Sequence, residues 1–69
     1  MDEQRNQILD AGRDRLSPRQ NEVLELWLHG YGLKRTSMVT GISISTVRTH
    51  RASIIDRLGE EYIRALPAL

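Results

Sequence analysis

Arg48, Thr49, Arg51 and Ala52 crowd into the stretch TGISISTVRTHRAS, residues 40–53, among small hydroxyl side chains. A long cation beside small neutral residues suits contact with an anionic polymer better than it suits covalent chemistry. Arg48 can reach a guanine edge or a phosphate, and Thr49 and Ala52 are small enough to let a helix sink into a major groove. Their methyl groups can also meet a thymine methyl. Ser45 and Thr46 put hydroxyls near a helix N-terminus, where unpaired N–H groups and a partial positive charge favour a phosphate oxygen. Arg48, Thr49 and Ala52 are therefore the candidate base contacts, and Ser45 and Thr46 are candidate contacts to a nucleic-acid backbone.

Catalytic chemistry has little to work with. The chain has no cysteine, and neither His29 nor His50 has a partner at metal-ligand spacing. No histidine and carboxylate pair at a useful interval, and no glycine-rich phosphate loop is present. Neither an enzyme nor a bound cofactor or metal is expected. Net charge is only +1, but its distribution is uneven. Between residues 31 and 59, Lys34, Arg35, Arg48, Arg51 and Arg57 face Asp56 alone, whereas acids outweigh bases in the first fifteen residues. A local basic excess is the usual footprint of phosphate binding, and it adds Lys34, Arg35 and Arg51 to the candidate backbone contacts.

These residues need helices to hold them. Hydrophobic residues make up 39% and charged residues 28% of 69 positions, the composition of one small globular domain, which buries only about 60% of its unfolded surface. No run of about 18 apolar residues spans a membrane, and residues 1–7 lack a signal-peptide pattern, so a cytoplasmic location is expected. Residues 2–11 could form a short helix ended by Gly12. Ser17, Pro18 and Gln20 form a capping-box start for a helix over 18–29, with Gly30 as its left-handed stop. A short helix over 34–40 has a poor start and ends at Gly41. Ser43 caps a helix over 44–58, Gly59 closes it, and a last short helix over 60–66 stops at Pro67. Val23, Leu24, Trp27, Leu28, Val47, Ile54 and Leu58 form the expected core, with Ile44 and Ile55 alongside. Arg51 lies about 40° from Val47 on the helical wheel, so its stem should pack while its head reaches a phosphate. No segment alternates as a strand. The expected fold is all-α, a small helix-turn-helix bundle of four or five helices, with residues 1–15 an N-terminal extension and 16–69 the domain.

The 44 residues LSPRQNEVLELWLHGYGLKRTSMVTGISISTVRTHRASIIDRLG, 16–59, resemble the LuxR/GerE-type helix-turn-helix domain without a gap. The likeness rests on LSPRQNEVL, Gly30, Lys34, the GIS of 41–43, the TVRTHR of 46–51 and the LG of 58–59. It implies that the helix over 44–58 is the recognition helix. It also implies that positions matching Arg48, Thr49 and Ala52 face bases, and that those matching Lys34, Thr46 and Arg51 approach the DNA backbone. Departures from the pattern are also visible. Thr36, Ser37 and Thr40 stand where the family usually has Ile, Ala and Leu, and Leu33, Val39 and Ile42 are expected to cover the missing apolar area. Asp56 stands where a basic residue is common. The tail after Gly59 is short, and the chain resembles a free-standing output domain without a sensor.

The leading expectation is a sequence-specific transcription regulator bound to double-stranded DNA, acting as a homodimer. Tyr62, Ile63, Leu66 and Leu69 form the expected dimer edge, completed by Ile8 and Leu9. The alternative is a helix-turn-helix module that binds a larger transcription regulator or RNA polymerase through Met38, Val39 and Ile44. A lesser possibility is a relation to region 4 of bacterial sigma factors, which has a similar helix-turn-helix.

Overall fold

In a computed structural model, residues 2–59 and Tyr62 are described. They form four helices, α1 (Asp2–Arg15), α2 (Pro18–Leu28), α3 (Leu33–Thr40) and α4 (Ile44–Leu58), with no strand among them. Helix α4 packs against the other three. The all-α helix-turn-helix expectation holds. The expected helix over 60–66 lies outside the described residues.

Helix α2 begins and ends as its sequence implies. The Gln20 amide donates to Ser17 Oγ at 3.2 Å, and the Ser17 amide donates to Gln20 Oε1 at 3.1 Å. Pro18 fills the first helical position, where a missing N–H costs nothing. At the other end, Gly30 takes φ +87°. Its amide donates to the Trp27 carbonyl at 2.9 Å, and the Tyr31 amide reaches back to the Leu26 carbonyl at 3.0 Å. This pair of bonds is a Schellman motif, which satisfies carbonyls that a helix end leaves orphaned.

Helix α1 is longer than expected, because Gly12 does not end it. Gly12 lies inside α1 and is buried. A Cβ there would stand 2.7 Å from Asn21 Oδ1, 3.1 Å from Leu16 Cδ1 and 3.2 Å from Leu24 Cδ2. The glycine is thus the close crossing point of α1 and α2, and the helix runs on to Arg15. That contact also redirects Ile8, expected at a dimer edge, into the core at 1% exposure, with Leu9 packed beside it. The rest of the core is Leu16, Val23, Leu24, Trp27, Val47, Ile54 and Leu58. Leu28 and Ile55 are half-buried against it, and Ile44, expected alongside, is exposed on the first turn of α4. The two C-terminal ends of α1 and α4 are tied together. Arg15 Nη1 donates to the Leu58 carbonyl at 2.9 Å, and Arg57 Nη1 donates to the Arg15 carbonyl at 3.5 Å.

Helix α3 solves its shortage of apolar residues differently from the expectation. Leu33 and Ile42 do pack against the core, but Val39 is 62% exposed and is not among the residues packed on it. Thr36 itself fills the gap, fully buried, with its Oγ1 lacking a hydrogen-bond partner. A buried hydroxyl left unpaired costs about 1–3 kcal/mol, so Thr36→Val, which keeps the shape and removes the hydroxyl, should raise stability by about 1 kcal/mol. Leu24→Ala, at a site with no exposure, should lower it by about 2–5 kcal/mol. Urea denaturation of both variants checks the pair; a destabilised Thr36→Val would mean that the hydroxyl is bonded after all.

Candidate nucleic-acid interface

The turn between α3 and α4 is built from hydroxyls and one glycine. Gly41 takes φ +75°, a left-handed conformation that side chains with a Cβ rarely adopt. Thr40 Oγ1 donates to the Thr36 carbonyl at 2.7 Å and accepts the Ile42 amide at 3.3 Å. Ser37 Oγ donates to the Ile42 carbonyl. The hydroxyl residues that make α3 look weak as a helix therefore fasten the turn that sets α4 in place. The pattern of Ser37 and Thr40 flanking Gly41 was the available signal for this, since short hydroxyl side chains readily bond nearby backbone.

Helix α4 starts from a cap. The Thr46 amide donates to Ser43 Oγ at 3.2 Å, Ser43 Oγ donates to Thr46 Oγ1 at 2.8 Å, and Ser45 Oγ lies 3.2 Å from Ser43 Oγ. Thr49 Oγ1 donates to the Ser45 carbonyl at 3.0 Å, which leaves its methyl group free to face outward. Ser45, Thr46, Arg48, Thr49 and Ala52 are all exposed. They lie opposite Val47, Ile54 and Leu58, which face the core. Arg48 makes no hydrogen bond or ion pair among the described residues. Lys34 and Arg35 are exposed in the first turn of α3, which has no side-chain cap at Gly32. The Arg35 guanidinium lies 4.2 Å from the centre of the Tyr31 ring.

Arg51 departs from its expected role. It is only 2% exposed. Its guanidinium lies 4.6 Å from the centre of the Trp27 ring, and Nη2 donates to the Tyr31 carbonyl at 2.6 Å. Its Nε has no partner, and no carboxylate pairs with it among the described residues. Desolvation by burial lowers its pKa from the ordinary arginine value, though a guanidinium remains charged at neutral pH. The stem packs as the wheel implies, but the head follows it into the protein, because an indole face and a carbonyl replace water there. Arg57 stays exposed, with its guanidinium reaching toward the end of α1. With Arg51 withdrawn, the exposed cations between residues 31 and 59 are Lys34, Arg35, Arg48 and Arg57, the last reaching toward α1. Of the expected dimer edge, Tyr62 is half-buried against the core, with the Arg15 guanidinium 5.9 Å from its ring centre. Ile63, Leu66 and Leu69 lie outside the described residues.

No group of His, Cys, Asp and Glu that could hold a metal ion occurs among the described residues, and none of the described helices is long and apolar enough to cross a membrane. The model of the family described as GerE, bacterial regulatory proteins, luxR family, matches residues 14–65. Comparison with curated proteins gives no match, and comparison with solved structures gives none either.

The placement of Arg51 separates two outcomes. Arg51→Ala removes the stack on Trp27 and opens a cavity, so it should cost about 2–4 kcal/mol, in the range of large core truncations. Arg51→Met keeps the stem and deletes a buried charge without a carboxylate partner, and should cost less than half of that. Thermal melts of the two variants check the difference. Equal and negligible losses would return Arg51 to the surface.

Proposed function

The chain belongs to the luxR family of bacterial regulatory proteins, and from that premise we propose that it is a sequence-specific DNA-binding transcription regulator whose helix α4 enters the major groove. The observation that carries this reading is the outward arc of α4. Arg48 stands on it without a hydrogen bond or ion pair among the described residues, and Thr49 and Ala52 beside it are small and exposed. A guanidinium can take the O6 and N7 of guanine together, while the small neighbours let the helix approach the bases closely. The capped first turn of α4, with Ser45 and Thr46, offers amides and hydroxyls to a phosphate.

Lys34 and Arg35 support the same docking. Cations in the first turn of a helix oppose its macrodipole. A phosphate bound between them and the uncapped start of α3 would reverse that penalty. Regulators of this kind gain affinity by pairing on half-sites about one DNA turn apart, since a single small module buries little surface. We therefore read the protein as a homodimer on DNA in the cytoplasm, with Tyr62 at or near the contact. A second reading, docking on a larger regulator or RNA polymerase, draws on the exposed Met38 (75%) and Val39 of α3. Arg48→Ala separates the two, since only the first reading makes DNA affinity depend on it.

With Lys34 and Arg35 on phosphates and Arg48 on a base edge, the slope of log K against log salt should be about −2 per protomer. Arg48→Ala should weaken binding to a selected sequence by about 1–3 kcal/mol and leave the melting temperature unchanged. Fluorescence anisotropy with labelled duplexes at several salt concentrations measures both. An affinity indifferent to salt, or to Arg48, would remove this interface from the reading.

A further inference from the structure

Asp56 is the one carboxylate between residues 31 and 59, and its position is unfavourable for the fold. It lies in the last turn of α4, where the partial negative charge of the helix end repels an acid. It is exposed, and it makes no hydrogen bond or ion pair among the described residues. The neighbouring Arg57 does not relieve it, because that guanidinium is turned to the Arg15 carbonyl.

On the wheel, Asp56 falls inside the arc proposed to face DNA. Taking about 100° per residue, Arg48, Ala52, Asp56 and Thr49 span roughly 100°, with Ala52 and Asp56 between the other two. At about 1.5 Å of rise per residue, Asp56 is about 6 Å along the axis beyond Ala52 and about 12 Å beyond Arg48. Arg48 and Asp56 are too far apart to neutralise each other, and the small Ala52 between them lets both approach the groove floor. In the major groove, guanine offers acceptors at O6 and N7, which suit a guanidinium. Cytosine offers the N4 amino group as a donor, which suits a carboxylate.

We infer that Asp56 is a specificity-determining residue that accepts a hydrogen bond from a cytosine N4 amino group, about three to four base pairs from the guanine read by Arg48, given about 3.4 Å per base. The inference rests on the proposed DNA-binding reading and extends it. The same carboxylate is repelled by phosphates on every sequence, so it lowers affinity for unrelated DNA while the cytosine contact restores affinity at the right site. It thereby widens the gap between specific and non-specific binding, the quantity that matters on a genome.

The test is selection of binding sequences from random duplexes at one fixed salt concentration, using the full chain and its Arg48→Ala, Asp56→Asn and Asp56→Ala variants. Asp56 is exposed and opposes the helix dipole, so both of its variants should melt at or slightly above the parent temperature. Arg48→Ala identifies the guanine position by the preference it erases. The parent should then prefer cytosine three to four base pairs away, over other bases by about fivefold or more. Asp56→Ala should flatten that preference and raise affinity for unrelated duplexes. Asp56→Asn should move it toward adenine, because an amide pairs with adenine N6 and N7. A selected motif that neither Asp56 variant alters would overturn this inference while leaving the DNA-binding reading intact. Failure of the parent to select or bind any duplex would overturn both.

Discussion

The stack of the Arg51 guanidinium on the Trp27 ring, closed by its bond to the Tyr31 carbonyl, helps to fix how α4 is turned. It joins α4 to α2 and to the loop that leads into α3. With Arg51 held inside, Val47, Ile54 and Leu58 face the core at helical spacing. The opposite arc, from Ser45 through Arg48, Thr49 and Ala52 to Asp56, has no choice but solvent. A buried cation is an expensive way to fix a helix, and its unpaired Nε shows that the environment satisfies it incompletely. What it provides is registration. The planar fork matches one ring face and one carbonyl, a directional contact that an aliphatic side chain at this position would lack.

The second constraint is the turn. Gly41 permits the left-handed step, and Thr40 and Ser37 tie Ile42 on both its amide and its carbonyl. Ser43 then starts α4 one residue later. Helix α3 is too short and too rich in hydroxyls to be stable by propensity. It exists because Thr36, Leu33 and Ile42 pack onto the rest of the domain and because its own hydroxyls close its end. The outward side of α3 is left with Lys34, Arg35, Met38 and Val39.

Much of this was legible in the sequence where signals are local. The Ser17, Pro18 and Gln20 start, the stops at Gly30 and Gly41 and the Ser43 cap depend on backbone chemistry within a few residues. The periodic stripe of α4 marked Val47, Ile54 and Leu58. What escaped depended on contacts between distant residues. Gly12 reads as a helix end until Asn21 and Leu24 of α2 are brought against it. Ile8 reads as a surface residue until that same crossing buries it. Arg51 reads as a phosphate ligand until Trp27 and Tyr31, more than a helix away in sequence, converge on it. Val39 was expected to shield the core in place of the missing apolar residues, but Thr36, the less apolar of the two, lies on the inward side of α3 and takes that place. The exposed placement of Arg48, Thr49 and Ala52 agrees with the helical wheel, and their contact with bases rests on the proposed function.

In the proposed complex, DNA meets α4 and the start of α3, and α1, which packs on α2 and α4, makes no contact with it. An amide-resolved NMR titration of the isotope-labelled chain with a short mixed-sequence duplex at low salt tests it directly. The proposed docking predicts the largest shift changes at Lys34, Arg35 and the amides from Ile44 to Asp56, with the α1 amides from Asn6 to Gly12 unmoved. Changes concentrated in α1 and α2, or no change anywhere at low salt, would contradict it.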